Sequence, residues 1–170
     1  MTLREIRTIP NPVLRRKAHP VTKFDNDLKE LIDDMVDTMR EAPGVGLAAP
    51  QVGVSLRVIV VEYTIDEQDE ESPKKLFTLV NPEIKDSSSD LVLGIEGCLS
   101  LPGLQGEVER SQSITLKALN RHGSPVRIKA QGWLARIFQH EIDHLDGIVF
   151  TDKASRIWKP EPEDTLADYV

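Results

Sequence analysis

Residues 139–147, QHEIDHLDG, contain two histidines four positions apart and a glutamate directly after the first. In a helix, positions i and i+4 lie on one face, so the imidazoles of His140 and His144 can bind a single metal ion. A hydrolytic metal usually has three protein ligands and one open position for water. The spacing therefore predicts a metal site whose third ligand lies elsewhere in the chain.

The same spacing also occurs in proteins without a metal, where two buried, hydrogen-bonded histidines and a surface glutamate would account for it. Two features favour the metal. Both histidines share the helix face of Trp133 and Ile137, which the core should cover. A glutamate next to two buried imidazoles is also costly unless a positive charge balances it.

The third ligands used by HExxH proteases are missing from the expected positions. Where one group has a third histidine, this chain has Phe150, which cannot bind a metal. Another group takes a glutamate from a downstream helix, but Glu161 and Glu163 alternate with prolines, which disfavour a helix. His19 and His122 lie in predicted turns rich in proline or glycine and are expected at the surface.

Cys98 is the remaining candidate, in the glycine-rich segment GIEGCLSLPG of residues 94–103. A lone cysteine is more often a small buried hydrophobic residue, and a single cysteine excludes an internal disulfide. Gly94, Gly97 and Gly103 favour a loop that approaches other groups closely. Two imidazoles and a thiolate leave one tetrahedral position for water, so Cys98 is the predicted third ligand.

Residues 44–53, GVGLAAPQVG, are almost all small, and Gln51 carries the only polar side chain. A tight glycine turn between a helix and a strand would explain this composition. The segment can also form the wall of a site, with bare backbone for an extended peptide and one amide to donate to an oxyanion.

The elements that position these residues follow from the apolar periodicity and the turn signals. An amphipathic helix is predicted near the N-terminus and a second one carries the histidines, with Gly147 at its stop position. Between them we predict buried strands and one β-hairpin, so the fold class is α+β with a mainly antiparallel sheet. The predicted helices are residues 24–39 and 133–146; the strands are 56–61, 76–80 (ended by Asn81-Pro82), 114–119 and 126–129; a polar loop spans 66–75.

The chain of 170 residues has the length of a single catalytic domain, residues 1–170. Its formal charge of −7 argues against broad nucleic-acid binding, so we expect no direct DNA binding. Much of the acidic charge lies in residues 66–71 and 161–168, as in solvated loops and tails. No apolar run approaches the ~18 to 20 residues of a membrane span. The expected location is the cytoplasm, with an organelle as the alternative.

Three motifs in this order, GVGLAAPQ, EGCLS and QHEIDH, resemble the signature motifs of the peptide deformylases. The similarity extends from the IPNPVL stretch of residues 9–14 to about Asp152. It implies antiparallel sheets surrounding a central helix that carries the HEIDH motif, plus an N-terminal amphipathic helix. It also implies hydrolytic removal of the formyl group from the N-terminal methionine of new polypeptides, with release of formate. Ferrous iron is the metal implied first, with zinc, nickel or cobalt as alternatives.

The resemblance assigns a role to each matching residue. Cys98, His140 and His144 correspond to metal ligands and Glu141 to the general base. Gln51 and the backbone N–H of Leu99 correspond to oxyanion donors, and Gly46 to a position whose backbone pairs with the substrate. The candidates for substrate binding, including an apolar slot for the methionine side chain, are Val45, Gly46, Gly97, Leu99 and Ile137.

Two other functions use the same residues. One is a metal or redox sensor without enzymatic activity, against which the uncoordinated Glu141 argues; the other is an HExxH endopeptidase. The tail after Phe150 is short and acidic, unlike the long basic C-terminal helix with which some deformylases bind the ribosome. A ribosome contact, if transient, is therefore expected to occur without such a helix.

Overall fold

A computed structural model describes residues 2–161 of the chain. In this range the chain forms three α-helices, eight strands and two short 3-10 helices. The helices are α1 (Asn26–Glu41), α2 (Gly132–Leu145) and α3 (Phe150–Lys153), and the 3-10 helices are Pro12–Arg15 and Ala49–Val52. The strands are β1 (Gly46–Ala48), β2 (Val58–Thr64), β3 (Lys74–Ser87), β4 (Leu91–Gly97), β5 (Gln105–Ser111), β6 (Ser113–Leu119), β7 (Pro125–Gln131) and β8 (Arg156–Trp158).

The strands form two sheets, and every pairing between these strands is antiparallel. The larger sheet has the order β1-β2-β3-β6-β7 and the smaller one β4-β5-β8. Helix α2 contacts β1, β2, β6 and β7 of the larger sheet and β5 of the smaller. The predicted α+β fold with a central helix between antiparallel sheets is therefore confirmed. Among residues 2–161, no helix is both long and apolar enough to cross a membrane.

Helix α1 forms where the periodicity predicted the N-terminal helix. The Asp25 carboxylate caps it by accepting a hydrogen bond from the Leu28 N–H at 3.0 Å, which satisfies one free donor of the first turn. The apolar face of α1 packs on β1 and β2 in one core cluster. This packing holds β1, and with it the segment GVGLAAPQ, in place below α2.

Helix α2 ends as predicted. Its last residue is Leu145, and Gly147 has φ +75°, the left-handed conformation that glycine adopts without a steric penalty. A side chain at 147 would also collide with the neighbouring backbone, because a Cβ there would lie 2.6 Å from the Arg15 oxygen. Position 147 therefore requires glycine for two reasons.

The predicted end of β3 at Val80 is wrong. The strand runs to Ser87 because its register with β6 shifts between Val80 and Glu83, which places Pro82 at a bulge. A bulge tolerates a proline because no ladder hydrogen bond is required from it. Asn81 adopts φ +52° there, and its side chain bonds both the N–H and the C=O of Val21. The β6–β7 hairpin, by contrast, is confirmed.

The glycine-rich segment before Cys98 is not only a loop. Residues 94–97 belong to β4, which pairs with β5 along its whole length. Neither strand was predicted, because the side chains of β4 do not follow the usual pattern of buried apolar and exposed polar residues. Four apolar side chains of β4 are exposed (Leu91, Val92, Leu93 and Ile95), while its fully buried Glu96 is charged.

Candidate active site

Helix α2 and strand β4 bring the three predicted metal ligands together. Cys98 follows the last residue of β4, and His140 and His144 occupy successive turns of α2. One ligand atom from each of the three residues lies within 4.8 Å of the others. The Sγ atom of Cys98 is 3.4 Å from Nε2 of His144. All three side chains are buried, so their donor atoms face one small interior space.

The hydrogen bonding of the histidines fits a divalent metal. His140 uses Nδ1 for a 2.8 Å contact with Oε1 of Glu96, which leaves Nε2 for another partner. That Nε2 is buried and has no hydrogen-bond partner among the described residues, nor does Nδ1 of His144. A buried polar atom left unsatisfied costs about 1–3 kcal/mol. Imidazole nitrogens and a thiolate are donors that suit iron, zinc, nickel and cobalt.

Glu141 lies next to the ligands and is not one of the cluster. Its side chain is fully buried, and neither carboxylate oxygen has a partner among the described residues. The carboxylate lies against the backbone of β1: a Cβ on Gly46 would be 2.8 Å from Oε1 of Glu141. Only glycine at position 46 leaves this space. Burial, and then the charge of Glu96, raise the pKa of Glu141 well above its usual range.

Gln51 projects into the site from the 3-10 helix Ala49–Val52. Its Oε1 accepts the Ala48 N–H at 2.9 Å, which fixes the amide and turns Nε2 toward the metal ligands. Nε2 donates to Oγ of Ser100 at 3.1 Å and has a longer, 3.6 Å contact with Sγ of Cys98. The predicted amide donor is therefore beside the thiol, and Ser100, which the sequence did not single out, orients it.

Two backbone groups at the edge of the site are free to pair with a ligand. The Leu99 N–H makes no hydrogen bond within residues 2–161. Strand β1 is an outer strand, and the 2.9 Å bond from the Glu62 N–H to the Val45 oxygen sets the alternation of its ladder. By this alternation the N–H and C=O of Gly46 point away from β2.

The candidates for substrate binding lie around this edge. Val45 and Leu99 are half-buried, whereas Ile137 is fully buried in the core cluster against which Val45 packs. A Cβ on Gly44 would be 3.0 Å from Cδ1 of Leu99, so Leu99 lies next to the residue that precedes Val45. Gly97 ends β4 beside Cys98. His19 and His122 are exposed, as expected, and neither belongs to the ligand cluster.

Comparison with known proteins agrees with this geometry. Residues 3–159 match the family described as polypeptide deformylase. The chain belongs to the polypeptide deformylase family. It is 50% identical to a peptide deformylase of Natranaerobius thermophilus over 161 residues, which covers 95% of this chain and 98% of the relative. The deformylases are hydrolases that remove the formyl group from the N-terminal methionine of nascent polypeptides, and they depend on a metal.

Solved deformylase structures have the same fold. The peptide deformylase of Thermotoga maritima superposes with a TM-score of 0.83 at 41% identity, covering 92% of this chain and 100% of that one. A class I type b deformylase of Acinetobacter baumannii, solved with Met-Ala-Ser bound, gives 0.82 at 41% identity over 90% of this chain and 100% of that one. The fold and enzymatic function predicted from the three motifs are confirmed.

The sequence did not reveal how the deformylase fold surrounds His140 with charge. Glu96 is fully buried and accepts hydrogen bonds from two guanidinium groups. Arg110 donates through Nε and Nη2, both at 2.9 Å, and Arg136 through Nη1 at 2.6 Å. Burial alone would raise the pKa of Glu96, but the hydrogen bonds from Arg110 and His140 outweigh it and hold that pKa well below its usual range. Because Glu96 is ionised, Nδ1 of His140 is the donor of their contact.

The protein surroundings of Cys98 raise the pKa of its thiol. Burial is the main cause and the charge of Glu141 the next, while the backbone N–H groups of Ser100 and Leu101 oppose them. A coordinated divalent cation reverses this balance, because a thiol bound to a metal loses its proton outright. Cys98 would therefore enter the possible metal-binding group with His140 and His144 as a thiolate.

Surface clefts do not mark this site. One of about 540 Å³ lies beside β6 and β7, and another of about 470 Å³ lies at the start of α1. Neither contains a candidate residue of the deformylase site, which is identified by its chemistry and not by the size of an opening.

Proposed function

We propose that Cys98, His140 and His144 hold one divalent metal ion and that Glu141 carries the proton during hydrolysis of the formyl amide. The observation behind this proposal is a cluster of three ligand atoms within 4.8 Å of one another, beside a buried carboxylate that has no partner among the described residues. A structural metal site would gain nothing from such a carboxylate. A hydrolytic site requires it.

The reaction consumes one water and forms formate and a free amine. When bound, the metal supplies water of low pKa and positive charge close to the formyl oxygen. Glu141 accepts the proton that the attacking water loses, and the new C–O bond forms at the formyl carbon. When the C–N bond breaks, Glu141 gives that proton to the leaving nitrogen, which becomes the N-terminal amine.

Gln51 and Leu99 stabilise the negative charge that develops on the formyl oxygen. The amide of Gln51 donates through Nε2–H, whose contact with Sγ of Cys98 is long at 3.6 Å and easily exchanged. The Leu99 backbone N–H, without a partner among the described residues, is the second donor. Each donor of this kind is worth about 3 kcal/mol in the transition state.

The substrates are nascent polypeptides that begin with formyl-methionine. The free edge of Gly46 pairs with the extended backbone of the substrate, as strand addition does elsewhere. Val45, Leu99 and Ile137 line the slot for the methionine side chain, and Gly97 borders it. The Met-Ala-Ser bound by the Acinetobacter baumannii relative is a peptide of this type and supports the assignment.

Iron in the ferrous state is the proposed metal, with zinc, nickel or cobalt as alternatives. We place the enzyme in the cytoplasm as one catalytic domain of residues 1–170, without membrane or DNA partners. Any contact with the ribosome is proposed to be transient; residues 162–170 of the acidic tail lie outside the described residues. Elemental analysis of anaerobically purified protein tests the metal.

One assay separates the three candidate functions. Release of formate from formyl-Met-Ala-Ser is expected, with no cleavage of a peptide blocked at both ends. Cleavage of the blocked peptide would indicate an endopeptidase, and metal binding without either reaction would indicate a sensor. His140→Ala should abolish activity and metal retention. His122→Ala is the matched control, because His122 is exposed and should affect neither.

A further inference from the structure

Arg136 is a buried arginine on α2, one turn before His140. Its Nη1 donates to Oε2 of Glu96 at 2.6 Å and to the Val108 oxygen at 2.9 Å, and its Nη2 donates to the Val92 oxygen at 2.6 Å. The guanidinium therefore joins α2 to both β4 and β5. None of its contacts is with a residue assigned above to the metal or the substrate.

Gly94 provides the surface on which this guanidinium lies. A Cβ at position 94 would be 2.6 Å from Cζ of Arg136, well inside the closest approach of real Cβ atoms. The backbone of Gly94 is ordinary strand, paired with Val108, so its conformation does not require glycine. Glycine is required at this position because the Arg136 guanidinium occupies the space that a side chain would need.

The second arginine of the cluster, Arg110, binds both oxygens of Glu96, through Nε to Oε2 and through Nη2 to Oε1, at 2.9 Å each. Its Nη1 also donates to Asp143 at 2.6 Å. Arg110 is thus shared between two carboxylates, of which Asp143 has a second cation in Lys153 and Glu96 has a second cation in Arg136. Arg136 adds the second positive charge and fixes Oε2 of Glu96, while Oε1 accepts the Nδ1–H of His140 at 2.8 Å.

We propose that Arg136, seated on Gly94, is a positioning residue of the metal centre. By fixing the Glu96 carboxylate it holds the His140 ring in the orientation and tautomer that direct Nε2 to the metal. This inference rests on the metal centre of the proposed function. Second-layer contacts of this kind typically change metal affinity or activity by about 10–100-fold.

Two variants that keep every charge test the proposal. Gly94→Ala displaces the guanidinium, and Arg136→Lys replaces its planar fork by one ammonium that cannot reproduce the three contacts. Each variant, loaded with cobalt, should lose the metal to excess EDTA about 10-fold faster than the wild type, with altered cobalt absorption bands. Unchanged rates and bands in both variants would overturn the proposal. Arg4→Lys is the control, because Arg4 pairs with Asp34 away from the site.

A double variant distinguishes a specific contact between Gly94 and Arg136 from a general effect of Gly94→Ala on packing. Once the guanidinium is removed by Arg136→Met, Gly94→Ala should have no further effect on cobalt loss, since nothing remains for the new methyl group to displace. If Gly94→Ala alone fails to fold, adding Arg136→Met should restore folding. Independent effects of the two substitutions, or a failure of the second to rescue the first, would overturn the proposal.

The same measurements distinguish failure of the proposed function from failure of the inference. If the wild-type protein retains no cobalt, or if the Cys98→Ser variant retains cobalt as fully as the wild type, the proposed metal centre is wrong. The His140 tautomer is read from the ¹⁵N shifts of its ring with zinc bound. If both charge-keeping variants retain cobalt as the wild type does and keep the same His140 tautomer, only the proposed role of Arg136 and Gly94 is wrong.

Discussion

Glu96 and Glu141 are two fully buried glutamates, one bonded to His140 and the other next to it in the chain, and their surroundings differ sharply. Glu96 receives hydrogen bonds from Arg110, Arg136 and His140, and its pKa lies well below the usual range. Glu141 has no partner among the described residues, and its pKa lies well above that range. The satisfied carboxylate can only support its neighbours. The unsatisfied one is available to exchange a proton with a substrate.

The largest expected effect comes from removing the satisfied glutamate. Glu96→Ala removes the carboxylate that two buried guanidinium groups share and should lower the free energy of unfolding by about 3–5 kcal/mol. Denaturant unfolding of the metal-free protein measures this loss. Asp34→Ala is the control: Asp34 is also buried, but its partner Arg4 is 30% exposed and can be solvated. Equal losses in the two variants would contradict the supporting role of Glu96.

Removing the unsatisfied glutamate, Glu141, should have the opposite effect: a loss of activity without a loss of stability. Glu141→Ala takes away the proton carrier and leaves the three ligands intact, so formate release should fall at least ~10²-fold with normal metal content. The metal-free variant should be at least as stable as the wild type, because a buried group without a partner is removed. Near-normal turnover, or a large loss of stability, would show that the contrast between the two glutamates is wrong.

The pH dependence of stability provides a third test of the contrast. A carboxyl whose pKa is raised in the folded state stabilises fully below its unfolded pKa, near 4.5, and this contribution is lost as the pH rises toward the folded pKa. The metal-free wild type should therefore lose up to about 1.4 kcal/mol per pH unit above pH 5, relative to Glu141→Gln. Parallel stability curves for the two proteins would contradict the raised pKa.

The sequence singled out Glu141 and the three candidate metal ligands, but it did not reveal Glu96 and the residues that bind it. Cys98, His140, His144 and Glu141 are recognisable because rare residue types recur at spacings that a metal requires. Glu96 and Arg136 are common types, and their partners are brought together only by the pairing of β4 with β5 and the packing of α2. Gly94 was predicted to let the backbone approach another group closely, but no local pattern reveals that this group is the Arg136 guanidinium.

The strand errors have the same origin. The end of β3 was placed at Asn81-Pro82 because local turn signals normally stop a strand, and the bulge that carries β3 through them depends on its pairing with β6. Helix α2 and the β6–β7 hairpin, by contrast, depend on periodicity and turn residues that are contiguous in the chain. Local signals were therefore reliable where no distant pairing overrides them, and they failed at Asn81-Pro82, where the pairing with β6 does.

The smallest expected effect concerns Ser100, which orients Gln51 without entering the reaction. Ser100→Ala removes the 3.1 Å bond to Nε2 of Gln51 but keeps the bond from the Ala48 N–H to Oε1, so the amide stays in the site with more freedom. A lost hydrogen bond of about 0.5–1.5 kcal/mol corresponds to a fall in kcat of roughly 2–10-fold. Because the donor acts on charge that exists only in the transition state, KM should change little. Gln51→Leu should show the same pattern more strongly, and Ser100→Ala should then add nothing to it. A change confined to KM, or additive effects of the two substitutions, would mean that Ser100 acts on substrate binding and not through Gln51.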